Sequence, residues 1–72
     1  MLDTITLSIE KAARFYSLPT ISLFGYDNKG YPELITSSYV AEDIADRFRF
    51  EFSENMFAGL EIRVNGVAIE LW

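Results

Sequence analysis

The sequence predicts an α+β fold: a small antiparallel sheet of four or five strands with one main helix and a short N-terminal helix, in the order β-α-β-β-α-β-β. Three observations carry this reading. Residues 60–72 alternate apolar with other side chains on both sides of an Asn65-Gly66 pair. Residues 20–36 are strand-like on both sides of a turn-rich run. Residues 38–53 space their apolar side chains at helical intervals.

Residues 4–9 alternate polar and apolar types and are rich in β-branched side chains, which predicts a first strand with Ile5, Leu7 and Ile9 facing inward. Ser8 is also an N-cap type. From Ile9 to the stop at Pro19 the spacing is helical, with Ile9, Ala12, Ala13 and Tyr16 on one stripe. A strand feeding directly into a short helix satisfies both patterns. Asp27-Asn28-Lys29-Gly30 then closes a hairpin through a type I turn with Gly30 left-handed. Pro32 has no N–H for a ladder, so the second strand of that hairpin is expected at a sheet edge, or bulged at that point, with Gly25 opposite.

Ser37 and Ser38 offer an N-cap, Glu42 and Asp43 suit the positive end of a helix, and Val40, Ala41, Ile44, Ala45, Phe48 and Phe52 form its apolar stripe. Residues 48–52 alternate as well, so the pattern alone also allows a strand there; length and the unbroken spacing favour the helix. Asn65-Gly66 predicts a type I′ hairpin. Its two-residue loop sets Val64 against Val67, Ile62 against Ile69 and Leu60 against Leu71, all six in the core. No internal repeat, linker or low-complexity stretch is visible in the sequence.

A chain of 72 residues is read as a single compact domain spanning 1–72. Half of it is apolar and 24% charged, a balance that favours a folded globule over disorder. Domains this small recruit disulfides, metals, self-association or dense packing. With no cysteine and no histidine, the means left are packing, with six phenylalanines and four tyrosines, and assembly into a homodimer. The absence of cysteine suits a reducing compartment, and no signal-like or membrane-spanning run is present, so the expected location is cytoplasmic, away from membranes.

The same absences remove the serine and cysteine triads and nearly all zinc sites; the expectation is no enzyme, no catalytic residues, no metal and no cofactor. The predicted hairpin register sets Glu61 opposite Glu70 on the face away from the core. Like charges so placed are destabilising. Beside Arg63 and Trp72 they read as an acidic patch for a partner. A glycosidase pair or a hard-cation site needs a cleft and further oxygens as well. Tyr26 and Tyr31 flank the first turn, where aromatics serve as contact anchors or stack across strands. Glu42, Asp43 and Asp46 form an acidic helix face, although Arg47 and Arg49 stand at pairing distance along the helix.

Residues 7–19, Leu-Ser-Ile-Glu-Lys-Ala-Ala-Arg-Phe-Tyr-Ser-Leu-Pro, resemble the first helix and turn of bacterial helix-turn-helix proteins of the excisionase type. The resemblance implies a basic recognition helix next, but residues 20–27 are β-like and carry no base, so no DNA-contacting role is carried over.

A net charge of −5 repels phosphate backbones at long range and makes direct nucleic-acid binding unexpected. The function expected is that of a small acidic accessory or inhibitory module of the phage or mobile-element type. Its partner would be a protein with a basic surface in a larger, nucleic-acid-handling complex. Two alternatives stand beside it: a self-assembling structural subunit, and a DNA-binding regulator using the first helix with Lys11, Arg14 and Lys29.

Overall fold

The computed structural model of the chain describes residues 4–71, without the Leu71 side chain. Its elements are α1 (Thr4–Ala13), β1 (Ile21–Tyr26), β2 (Pro32–Ser38), α2 (Ala41–Glu54), β3 (Gly59–Val64) and β4 (Val67–Leu71). The α+β class and the antiparallel sheet agree with the sequence reading; the sheet has four strands in the order β2-β1-β3-β4.

The departure lies at the start, where residues 4–9 open a helix and form no strand. Alternation over so few residues is degenerate. Ile5, Ile9, Ala12 and Ala13 also recur at helical spacing, and that stripe is what meets the core: Ile9 is fully buried and the other three pack beside it. Leu7, inward in a strand, is exposed. Helix α1 ends at Ala13, and the Tyr16 N–H closes a turn onto the Ala13 carbonyl.

Residues 48–52 are helical within α2. Ile44, Ala45 and Phe48 are buried, and the Phe48 and Phe52 rings stack with centroids 6.0 Å apart. Val40 and Phe52, at the margins of the predicted stripe, are exposed. Ser38 stands ahead of the helix, where its Oγ accepts the Val40 N–H at 3.0 Å and donates to Asp43 at 3.2 Å. Asn55 ends α2 in the left-handed region at φ 55°, its N–H on the Glu51 carbonyl.

Both helices share one face of the sheet, since Ile9 from α1 and Ile44, Ala45 and Phe48 from α2 join Ile21, Leu23, Leu60, Ile62 and Val64 in one core. Helix α1 lies against β3 and β4, and α2 against β1 and β2. Gly25 faces this core because the Phe57 ring occupies the place of a side chain: an added Cβ would sit 2.6 Å from the Phe57 Cγ.

Both turns form as their residues demand. Asp27 Oδ1 accepts the N–H groups of Lys29 and Tyr31, both at 2.9 Å, and Gly30 is left-handed at φ 86°. Asn65 and Gly66 both take positive φ, 50° and 83°, as a type I′ turn requires. Asn65 also clasps the start of β1: its Oδ1 accepts the Thr20 N–H at 2.7 Å, and its own N–H reaches the Thr20 carbonyl at 2.8 Å.

Each outer strand carries one extra residue. Val64 pairs with Val67 and Arg63 with Ala68, but Ile69 is then inserted, so Ile62 meets Glu70 and Glu61 meets Leu71. The continuous register expected from the turn is therefore broken after two pairs, and the Glu61–Glu70 opposition is absent. Val67, expected in the core, is 57% exposed. In β2 the extra residue is Ile35, between the pairs Leu23–Thr36 and Phe24–Leu34, while Pro32 sits unbulged at the strand's start opposite Tyr26. Glu33, one residue on, is what faces Gly25. As an edge strand, β2 tolerates the proline.

An internal repeat exists in the architecture although none is visible in the residues. The chain runs α-β-β twice, β1 and β3 are the central pair, and the outer strand of each hairpin bulges at the matching place, opposite Leu23/Phe24 in one half and Ile62/Arg63 in the other. Both inserted isoleucines pack against the core. Bulges increase local twist, and here they turn the outer strands while keeping an isoleucine beneath the helices.

Candidate functional site

Side chains alternate across a strand, so fixing Ile21, Leu23 and Gly25 toward the helices turns Ser22, Phe24 and Tyr26 to the opposite, helix-free face. In β3, Leu60, Ile62 and Val64 face the helices and Glu61 and Arg63 face away. The central ladder sets Phe24 against Glu61 and Ser22 against Arg63.

These residues form one cluster. Glu61 is only 8% exposed although no helix covers it, and its carboxylate accepts a hydrogen bond from Arg63 Nε. The Arg63 guanidinium lies over the Phe24 ring, 4.2 Å from the centroid. Hydrogen bonds to Glu61 first and to Tyr26 second hold that guanidinium above the ordinary arginine range. A planar cation that stacks on a ring and donates along its edges suits this place as lysine would not. Beside the cluster a shallow hollow of about 520 Å³ is lined by Tyr26, Asp27, Asn28, Gly30, Gly59 and Glu61.

Of the residues singled out from the sequence, Tyr26, Glu61 and Arg63 are brought together here. Tyr31 stands outside, exposed past the turn. Glu70, displaced by the inserted Ile69, lies at the register position of Ile62. Trp72 lies outside the described residues. Glu42, Asp43 and Asp46 are exposed on α2, where Asp46 pairs with Arg49 at 2.5 Å and Arg47 with Glu51 at 3.5 Å. Phe24 was not among the residues singled out; only the β1–β3 pairing, which the sequence does not give, reveals it.

Among the described residues no group of His, Cys, Asp or Glu is placed to hold a metal ion, and no helix is long and apolar enough to cross a membrane. No protein-family model matches the chain, nor does any curated protein or solved structure.

Proposed function

We propose that this chain is a protein-binding module, an acidic accessory or inhibitory protein that meets its partner with the helix-free face of its sheet. The observation that carries the reading is the Glu61 carboxylate, nearly buried on the face that neither described helix covers and held by an arginine over the Phe24 ring. Side chains fixed before a partner arrives lose little freedom on binding, and aromatic and arginine residues dominate the energetics of protein contacts. The hollow beside the cluster is shallow, and an open surface suits another protein better than a small molecule, which needs concave walls. The net charge of −5 favours encounter with a basic surface, such as that of a nucleic-acid-handling assembly.

The test is affinity capture from native host lysate, with nuclease present, comparing the wild type with a Ser22→Lys, Ala68→Lys double variant. Both substitutions place a cation on this face, and circular dichroism checks that the variant remains folded. A defined protein kept by the wild type and lost from the variant supports the reading. Equal retention by both refers binding to another surface.

A second reading is self-assembly through the same face, favoured by Leu34, which stands 55% exposed opposite Phe24. A light-scattering mass equal to one chain at high concentration would remove it.

A further inference from the structure

We infer that the groove between β2 and α2 takes an extended peptide segment as a fifth strand, and that this segment carries basic and apolar side chains. The site lies at the β2 edge on the side of α2, sharing only Leu34 with the sheet face described above, and its occupant is specified by four observations.

First, β2 is the edge of the sheet: β1 lies on one side of it, and no described strand pairs with the other. Such an edge presents backbone donors and acceptors in a row, the template for strand addition. Second, the groove follows the strand. A hollow of about 460 Å³ runs beside Thr36, Ser37 and Ser38, a second of about 450 Å³ runs beside Glu33, Leu34 and Ile35, and Arg47 lines both. Together they border β2 from Glu33 to its end.

Third, the far wall is one side of α2, with Asp43, Asp46, Arg47 and Phe50 at one end and Arg47 and Glu51 at the other. Phe50 and Met56, along the wall and beyond it, are exposed and offer apolar contacts. A strand laid along β2 would direct every second side chain toward this wall. Fourth, the charge is one-sided. Glu33, Asp43, Asp46 and Glu51 line the groove; Arg47 is committed to Glu51 and Arg49 to Asp46, which leaves Glu33 and Asp43 as its surplus negative charge. An added strand with lysine or arginine among apolar residues completes this charge pattern. A second copy of the chain, adding its own β2, would bring the same carboxylates face to face, so charge selects a basic peptide over self-pairing.

The probe is a library of random heptapeptides displayed on phage and selected on the wild-type protein. Sequences of net positive charge with apolar alternate positions should be enriched. A synthetic copy should shift the amide resonances of residues 33–38 and of Asp43, Arg47 and Phe50, and leave Glu61 and Arg63, one strand further from the edge, unmoved. Asp43→Lys with Asp46→Lys, both on exposed helix surface, should weaken binding at least tenfold. Methylating one alternate set of the peptide's backbone nitrogens should abolish binding while methylating the other set leaves it intact, which only a ladder requires. The inference is overturned by selection of no basic sequence, by shifts confined to the sheet face, or by equal tolerance of both methylated sets. Residue 33–38 shifts that grow with protein concentration alone, alongside a doubled mass, would assign the edge to a second copy and overturn it as well. Failure here leaves the sheet-face reading standing, and loss of that reading leaves this one testable.

Discussion

The Arg63 guanidinium carbon lies over the Phe24 ring, 4.2 Å from its centroid, while Nε donates to the nearly buried carboxylate of Glu61. The arrangement needs a planar cation. Arg63→Lys keeps the charge but loses the stacked plane and the edge-on donors, so its thermal midpoint should fall by several degrees. Arg63→Met, which leaves Glu61 without its cation, should fall further. Thermal unfolding followed by circular dichroism checks both, and an Arg63→Lys protein melting with the wild type would show that charge alone suffices.

Gly25 and Phe57 form a second dependent pair. Adding a methyl group at position 25 drives it into the ring, so Gly25→Ala should destabilise the fold by about 1–3 kcal/mol. In a Phe57→Leu background the same substitution should cost measurably less. Urea unfolding of the four proteins gives the coupling directly, and additivity would place the clash elsewhere.

Asn65 serves the β3–β4 turn twice, by accepting a left-handed backbone and by accepting the Thr20 N–H at 2.7 Å. Asn65→Ala loses both and should cost about 1–2 kcal/mol. Asn65→Gly keeps the left-handed backbone and the backbone hydrogen bond to Thr20 and loses only the side-chain half of the clasp, so it should cost less. A denaturant series on the two variants separates turn from clasp; equal losses would mean that the backbone preference contributes little.

Truncating the centre of the core should exceed all of these. Ile62 is fully buried at the middle of β3, and Ile62→Ala should lose about 2–5 kcal/mol in the same measurement. A loss under 1 kcal/mol would mean that the helices close over the gap.

The sequence made some of this legible and hid the rest for definite reasons. Asn65-Gly66 and the Asp27–Gly30 run act through their own backbone preferences, so both turns could be read locally. The α2 stripe was long enough to resolve the strand-like alternation of residues 48–52. Residues 4–9 were not, because an isoleucine at every fourth position satisfies a helix as readily as alternation satisfies a strand. The inserted residues Ile35 and Ile69 leave the local alternation untouched and exist only in the pairing, so the register past Arg63 could not be read from the turn. The same limit hid Phe24, whose place beside Arg63 depends on strands far apart in the chain.

Leu23 and Ile62 are partners across the central ladder and also hold matching places in the two α-β-β units, so an approximate dyad passes through their contact. Phe24 and Arg63, each the next residue in its unit, are related by the same dyad. Identical halves would set two rings or two guanidiniums there, and neither pair could make a cation stacked on a ring. The bond at the centre of the open face is thus one that a true homodimer of α-β-β units could not make; it requires two unlike halves in a single polypeptide.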